Sequence, residues 1–330
     1  MTSHHFLIAD HHVCINFRES KRNSIELIPS FKPFETFVTS SGDDDNANDN
    51  KKVNVNVNVD VPVKRKEAEM LFEMTIDDDI TTFNKSERQR IRTFETGNGD
   101  TIVDKMPDGS YQYIIRNIAG SDCCLLKTNS TFTKFECALN GNYNMRSFGL
   151  NNALMLAYAF ASSSKQTLLI HASLVRHGDY GYPFIAKSGT GKSTHVSMWL
   201  RYIPHCDLMN DDNPIIRIID DTPYIYGSPW SGKTPCYRNT KARLGAVSRI
   251  ERDTYNHVER LKGIDAFVSF LPSCSTMKWD NTLFDNLCKT VAKIAETTPV
   301  YTVHCLPNEE AARLTFATIT QSAPENIPKK

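Results

Sequence analysis

The chain has 330 residues, with 38 Lys and Arg against 38 Asp and Glu and with 40% hydrophobic residues. This length predicts about two domains, and the apolar content suffices for a sizeable core. The balanced charge argues against a generally basic nucleic-acid-binding protein. The longest apolar run, residues 153–161, is too short to span a bilayer, so we expect no membrane partner.

The first residues contain no basic stretch followed by an apolar run, so we expect no secretory signal. The nine cysteines are scattered and contain no Cys-x-x-Cys pair. This spacing favours reduced thiols over a disulfide framework and shows no zinc-knuckle pattern. Together these features predict a cytoplasmic protein.

The first third of the chain has the patterns of β structure. Apolar or alternating runs predict strands at residues 6–9, 13–17, 70–76 and 111–115. The first two runs are close enough to form a hairpin, and no sustained helical periodicity occurs before about residue 145. We therefore predict a smaller, mainly-β N-terminal domain over residues 1–143.

Residues 40–66 form a low-complexity insert within this domain. The insert opens with Gly-Asp-Asp-Asp and continues with Asn-Val-Asn-Val-Asn-Val. Its strict alternation imitates a strand, but Asn disfavours strands and the flanking charges favour a solvated loop. We predict a disordered insertion, and an ordered strand is the alternative.

From residue 144 onward helical and strand-like segments alternate, which predicts an α/β domain over residues 144–325. Helices are predicted at residues 144–162, 194–202, 282–296 and 309–319. Strands are predicted at residues 167–175, 182–186, 215–219, 224–226, 267–270 and 299–305.

Two stretches resemble the phosphate-binding pattern G-x-x-x-x-G-K-[ST]. Residues 186–193 read Ala-Lys-Ser-Gly-Thr-Gly-Lys-Ser and depart from it at the first position, whereas residues 227–234 match it fully. A phosphate loop needs a strand before it, free backbone N–H groups and a helix after it. Only the first stretch has all three, because Pro229 removes a donor from the second and Trp230 is bulky there. We therefore predict a nucleotide site at residues 186–194.

The predicted nucleotide-binding residues are Ser188, Gly189, Thr190, Gly191, Lys192, Ser193 and Thr194. Lys192 is expected to reach the β- and γ-phosphates of ATP, and Ser193 to ligate Mg²⁺. Further along, Asp211 and Asp212 end a short apolar stretch. Alone they are typical of a solvated turn, but beside a phosphate loop they suit a metal ligand and a base toward a hydroxyl.

Three segments in this order resemble the shared core of the HPr kinase/phosphorylase catalytic domain and phosphoenolpyruvate carboxykinase. They are Ile170-His-Ala-Ser173, the glycine-rich loop with its flanking residues, and Asn210-Asp-Asp212. The resemblance covers residues 165–240 well and residues 240–320 loosely. The stretch at residues 226–239 and the Pro-Phe pair at residues 33–34 resemble bacterial HPr-kinase-like proteins of unassigned substrate.

The resemblance implies a P-loop kinase domain of the HPr kinase/phosphoenolpyruvate carboxykinase type, with ATP and Mg²⁺ as cofactors. It implies a phosphate-binding role for Lys192, a base at Asp211 assisted by His171, and metal ligands at Ser193 and Asp212. The order of the two aspartates stays open, as does a metal role for the histidine. On sequence alone a histidine at the edge of a strand is expected to be buried and hydrogen-bonded.

Lys233 and Arg238 are candidate substrate or phosphate contacts, and a solvated loop is the alternative. Thr194 stands where HPr kinases have Glu, and the later HPr-kinase signature region has no match, so phosphorylation of HPr is not expected. The substrate-binding arginine of the carboxykinases has no counterpart either.

The leading prediction is an ATP-dependent kinase that transfers the γ-phosphate to a hydroxyl of an unidentified protein, peptide or small molecule. The first alternative is a non-catalytic ATP-binding regulatory or scaffold protein, and the second is a carboxykinase-like enzyme. Homo-oligomer formation is left open.

Overall fold

The computed structural model describes residues 1–36, 69–96 and 99–321. The insert predicted at residues 40–66 lies outside these ranges. The described chain is a mixed α/β protein with two mixed β-sheets and five α-helices among these residues. None of these helices is both long enough and apolar enough to cross a bilayer.

The first sheet consists of nine strands in the described N-terminal residues. The strands are β1 Thr2–Ile8, β2 His11–Phe17, β3 Glu35–Thr36, β4 Met70–Ile76, β5 Gln89–Thr96, β6 Gly99–Lys105, β7 Tyr111–Asn117, β8 Asp122–Thr128 and β9 Lys134–Leu139. Their order across the sheet is β3-β1-β2-β4-β9-β8-β7-β6-β5. Strand β4 runs parallel to β2 and β9, and the other neighbours are antiparallel.

The predicted hairpin is confirmed by β1 and β2. Its two turn residues, Ala9 and Asp10, have φ values of 47° and 60°, as a tight turn between right-twisted strands requires. The short 3-10 helices Ile25–Leu27 and Pro29–Phe34 follow the hairpin.

Helix α1, Tyr143–Ala161, confirms the first predicted helix. It begins where the Asn142 side chain accepts a hydrogen bond from the Met145 amide at 3.1 Å, an N-cap that favours helix initiation. Its buried face packs against β7, β8 and β9 and also contacts β10 of the second sheet, Thr167–Leu169. The domain boundary predicted between residues 143 and 144 stays a prediction.

The second sheet contains ten strands and lies beside the remaining helices. After β10 its strands are β11 Ala172–His177, β12 Tyr180–Ile185, β13 Cys206–Asp212, β14 Ile215–Ile219, β15 Thr222–Tyr226, β16 Lys241–Leu244, β17 Val247–Arg252, β18 His257–Leu261 and β19 Val300–Cys305. The helices are α2 Lys192–Tyr202, α3 Gly263–Phe270, α4 Asn281–Thr297 and α5 Glu309–Thr320. The order is β10-β14-β15-β16-β12-β17-β19-β18, and β11 pairs with β12 and β13.

Helices cover both faces of this sheet. Leu174 of β11 joins the apolar cluster that contains α3 and α4, whereas its neighbour Val175 joins the cluster that contains α2 and α5. Successive strand residues point to opposite faces, so the two clusters lie on opposite sides. This arrangement gives a three-layer α/β/α body.

Two predicted elements were wrong. Residues 267–270, predicted as a strand, lie in α3, where Ala266 and Phe270 are buried one helical turn apart. A short, mostly apolar run such as Phe-Val-Ser-Phe fits either structure, and only the spacing over a longer stretch distinguishes a helix from a strand. The strand predicted at residues 167–175 is interrupted at Ile170 and His171, because β10 pairs with β14 whereas β11 pairs with β12 and β13.

Strand β11 brings distant segments of the chain together. Because β11 runs antiparallel to both β12 and β13, its first residue, Ala172, lies opposite the last residue of each, Ile185 and Asp212. The two strand ends therefore meet at one edge of the sheet. A bulge shifts the pairing between β11 and β13, so that Met209 is an extra residue between two paired neighbours.

Candidate functional site

The glycine-rich loop, residues 186–191, connects β12 to α2, which confirms the predicted order of strand, loop and helix. Gly189 and Gly191 have φ values of 77° and 125°, and a Cβ built on either would meet no heavy atom within 4 Å. Glycine adopts such backbone angles without steric cost. There is therefore open space beside the Cα atoms of both glycines.

The N-terminus of α2 has the properties of an anion site. Its N-cap residue, Gly191, makes no side-chain capping bond. By helix geometry the amides of Lys192, Ser193 and Thr194 have no partner within the helix, and the helix dipole makes this end positive. Such an end suits a phosphate group.

Arg252, at the end of β17, braces the loop from outside. Its guanidinium donates to the carbonyl oxygens of Thr190 at 2.9 Å and Gly189 at 2.6 Å. These two bonds fix the loop backbone at Gly189 and Thr190, and the Thr190 amide donates to the Lys187 carbonyl at 3.2 Å. Arg252 was not predicted from sequence, because its strand has no clear local pattern.

Lys192, His171 and Asp212 form a chain of hydrogen bonds. The ammonium of Lys192 lies 2.8 Å from Nε2 of His171 and donates to the Ala186 carbonyl at 3.1 Å. Nδ1 of His171 lies 2.9 Å from Oδ1 of Asp212. A lysine ammonium only donates, so Nε2 accepts and Nδ1 carries the proton that is directed to the aspartate. Burial lowers the pKa of Lys192, and the nearby carboxylates of Asp212 and Asp211 oppose this shift.

The backbone of Asp212 has a φ of 155°, which non-glycine residues rarely adopt. Its second carboxylate oxygen accepts a hydrogen bond from the side-chain amide of Asn213 at 2.6 Å. About one third of the side chain is exposed, compared with only 4% of Asp211. Strained backbone of this kind occurs preferentially at functional sites.

Asp211 is a buried carboxylate whose partners are neutral donors. Its Oδ1 accepts hydrogen bonds from the hydroxyls of Ser173 at 2.7 Å and Ser193 at 2.8 Å. Its Oδ2 accepts from the Thr234 amide at 3.3 Å. Buried carboxylates require such donors to replace water. Ser173, which the sequence analysis quoted without a role, thus supports the acidic pair.

The second GKT-like stretch, residues 227–234, lies against this acidic pair. As predicted, no helix follows it. Asn210 anchors it by donating to the Ser228 hydroxyl at 3.2 Å and the Trp230 carbonyl at 3.0 Å, and the Gly232 amide donates to the Asp211 carbonyl. The stretch therefore forms a wall of the site, a role that sequence reasoning missed.

The two predicted basic contacts are placed differently. Lys233 is exposed on this wall. Arg238 donates to the Asp207 carboxylate at 2.7 Å and to the Leu208 carbonyl at 2.6 Å. Although burial alone would raise it, the pKa of Asp207 is lowered by hydrogen bonds from Arg176 and Arg238. Arg238 thus forms an ion pair with Asp207 of β13.

Two cavities adjoin these residues. One, of about 390 Å³, is lined by loop residues and by side chains that include Ile250 and Leu306. The other, of about 450 Å³, includes Asp212 and lies between the second GKT-like stretch and the N-terminal half of the chain. Both volumes suit a small ligand. A larger cavity of about 590 Å³ lies away from the site, between β18, α3 and α4.

The fold thus brings together five residues predicted from sequence: His171, Lys192, Ser193, Asp211 and Asp212. No protein-family model matches this chain, and no curated protein matches it. The family resemblance therefore stays a prediction from the motifs alone.

Proposed function

We propose that the protein is an ATP-dependent kinase that transfers the γ-phosphate to a hydroxyl group. The observation that carries this proposal is the contact between Ser193, the second residue of α2, and the buried carboxylate of Asp211. An oxygen pair beside an anion-suited helix end matches the needs of a metal-bound polyphosphate. The motifs predicted the same function.

In this proposal the glycine-rich loop binds the phosphates of ATP. The amides of the first turn of α2 would donate to phosphate oxygens, and Lys192 would add a charge-assisted hydrogen bond. Phosphate would compete with His171 and the Ala186 carbonyl for the ammonium group of Lys192. The cavity of about 390 Å³ beside the loop has space for the nucleoside.

Ser193 and Asp211 fit Mg²⁺. Both supply hard oxygen atoms, and these lie 2.8 Å apart. Adjacent ligands of an octahedral Mg²⁺ ion with bonds near 2.1 Å lie about 3 Å apart, so the pair needs little rearrangement. When bound, Mg-ATP supplies the transferable phosphoryl group and the ion neutralises part of its charge.

The proposed base is Asp212, which exchanges the roles expected from sequence for the two aspartates. Two contacts and a difference in exposure support this order. Asp211 is buried and accepts a hydrogen bond from the Ser193 hydroxyl, whereas Asp212 is partly exposed and hydrogen-bonded to His171. A base must reach an incoming hydroxyl, and Asp212 lines the cavity of about 450 Å³. His171 would orient the carboxylate through its Nδ1 proton.

The lining of that cavity favours a neutral acceptor. Apart from Asp212, no charged residue is among the described residues that line it. The polar and aromatic lining residues are Ser30, Ser147, Asn151, Asn152, Asn213, Trp230, Ser231 and Tyr237. Amides and hydroxyls can both donate and accept, and aromatic rings pack against apolar ring faces. We therefore propose an uncharged, hydroxyl-bearing acceptor.

The test compares Mg-ATP binding and slow ATP hydrolysis in the wild type and two lysine variants. Lys192→Ala should abolish measurable binding by titration calorimetry, while Lys233→Ala, at an exposed lysine of the other GKT-like stretch, should leave it nearly unchanged. The reverse ranking would refute the proposed nucleotide site. Binding without hydrolysis, and without transfer of γ-label into a lysate of the source cell, would instead favour the scaffold alternative.

A further inference from the structure

Three metal-ligating side chains converge away from the proposed catalytic residues. Asp253 follows β17, His257 begins β18 and His304 lies in β19, and one ligand atom of each lies within 4.8 Å of the others. In the described part of the chain this is the one group of its kind. We propose that it binds a divalent transition-metal ion, for which Zn²⁺ is the best match.

The sheet register builds this group. His257 and His304 are directly opposite each other in the antiparallel pair β18–β19, and opposite residues project from the same face. Their rings stack with centroids 4.1 Å apart and planes within 3°, and Tyr255 also stacks on His257 at 4.6 Å. The rings are thus held in place by backbone pairing and stacking.

The donor set has the chemistry of a zinc site. Nδ1 of His304 lies 3.4 Å from Oδ2 of Asp253, and ligands of a tetrahedral zinc ion with bonds near 2.1 Å lie about 3.4 Å apart. Two imidazoles and a carboxylate favour Zn²⁺ over Mg²⁺ or Ca²⁺, which prefer oxygen ligands alone. Oε2 of Glu251 lies 3.9 Å from the same nitrogen, so Glu251 is a candidate fourth ligand.

The buried ring nitrogen of His257 is not satisfied by hydrogen bonding within the described part of the chain. Its Nδ1 is buried and has no hydrogen-bond partner among the described residues, whereas buried polar atoms in native proteins nearly always have one. The loop before it is fixed from another direction. Asn256 donates to Glu310 at 2.7 Å and accepts from the Leu306 amide at 2.9 Å. The three side chains are therefore close together, but an imidazole lone pair lies in the plane of its ring, so the two stacked rings must turn for both to bind one ion.

The proposed ion would stabilise the end of β17. Arg252, which holds the glycine-rich loop, lies between Glu251 and Asp253. An ion bound by its neighbours would order this strand end, so the site has a structural role. The proposal does not require kinase activity, but Asp253 also lines the cavity of about 390 Å³ proposed for the nucleoside, so Zn²⁺ binding is measured without ATP.

The experiment titrates Zn²⁺ into the chelator-treated full chain and follows binding by calorimetry. We expect one equivalent to bind with micromolar or tighter affinity and Mg²⁺ not to compete. His304→Gln and Asp253→Asn should each weaken binding about tenfold or more. The matched control is His5→Gln, because the His5 ring lies beside that of His12 with centroids 5.1 Å apart but belongs to no such group among the described residues. This variant should bind Zn²⁺ as the wild type does.

A thermal melt provides a readout that is independent of heat of binding. Zn²⁺ should raise the midpoint of the wild type and of His5→Gln, but not that of His304→Gln. Asp253→Asn gives the same comparison at a more exposed side chain, should the histidine variant fail to fold. No binding by the wild type, or unchanged binding by both ligand variants, would overturn the proposal.

Discussion

Replacing Asp211 and Asp212 one at a time by Asn separates metal binding from base catalysis. Asp211 is 4% exposed and its carboxylate contacts the hydroxyl of Ser193. Asparagine keeps the shape but removes the charge, so Mg²⁺ loses an anionic ligand. A hydrogen bond or contact to a charged group is worth about 1.5–3 kcal/mol. At about 1.4 kcal/mol per tenfold, Asp211→Asn should weaken Mg-ATP binding roughly 10- to 100-fold.

Asp212→Asn should have the opposite signature. Its carboxylate does not accept the hydrogen bond of the Ser193 hydroxyl, which goes to Asp211. The Mg-ATP affinity should therefore stay within about threefold of the wild type, a free-energy change well under the 1.4 kcal/mol of a tenfold change. Turnover should fall by about 10²–10⁴, the usual range for the loss of a general base. The assay measures slow ATP hydrolysis and Mg-ATP binding on the same samples.

The matched control for this pair is Asp220→Asn, which makes the same chemical change in an exposed turn. It should leave both quantities unchanged. If Asp212→Asn weakens Mg-ATP binding while Asp211→Asn does not, the two roles are assigned in the wrong order. If hydrolysis is unaffected in both variants, the catalytic interpretation is wrong.

Three further predictions concern the supports of the site. Arg252→Ala removes two hydrogen bonds to loop carbonyls and should weaken ATP binding about tenfold by calorimetry, at about 0.5–1.5 kcal/mol per bond; Arg201→Ala on the surface of α2 is the control and should have no effect. Ser173→Ala removes a hydrogen bond to a buried carboxylate and should lower the free energy of unfolding in urea by about 1–3 kcal/mol. Ser248→Ala, at a buried hydroxyl that has no hydrogen-bond partner among the described residues, should cost less, and an equal cost would contradict the assigned hydrogen bond. Burial lowers the pKa of His195 from 6.5 to about 4, so the folded state favours the neutral ring. This group should leave the free energy of unfolding unchanged above pH 6.5 and lower it by up to about 3 kcal/mol as the pH drops to 4, because only the unfolded chain is readily protonated in that range. His195→Gln should flatten that part of the pH profile of stability.

The site could be predicted from sequence where local chemistry decides the structure. The loop at residues 186–191 was located because it needs a strand, glycines and a helix in a row, and all three signals are local. The same test correctly excluded a helix after residues 227–234. His171, Asp211 and Asp212 were selected by motif, and the fold brings them together.

What the sequence did not reveal depends on contacts between distant strands. Arg252 reaches the loop only because β17 lies parallel to β12, and no local pattern indicates that pairing. Ser173 meets Asp211 through the β11–β13 register. The second GKT-like stretch was rejected as a phosphate loop from its sequence. Its position against the acidic pair could not be predicted, because it depends on a hydrogen bond from the buried side-chain amide of Asn210. Tertiary partners of this kind require the fold itself.

The bulge at Met209 has a consequence for how the site tolerates change. In a regular strand, neighbouring side chains alternate between faces, so an added residue reverses the alternation on one side of it. Leu208, before the bulge, pairs with Val175 and joins its apolar cluster. Asp211, three residues later, pairs with Ser173 and therefore projects from that same face, which regular alternation would not allow. Deletion of Met209 would restore uninterrupted pairing, but it would turn either the acidic pair or the apolar residues to the opposite face of the sheet. The extra residue thus lets one strand satisfy two requirements whose spacings are incompatible.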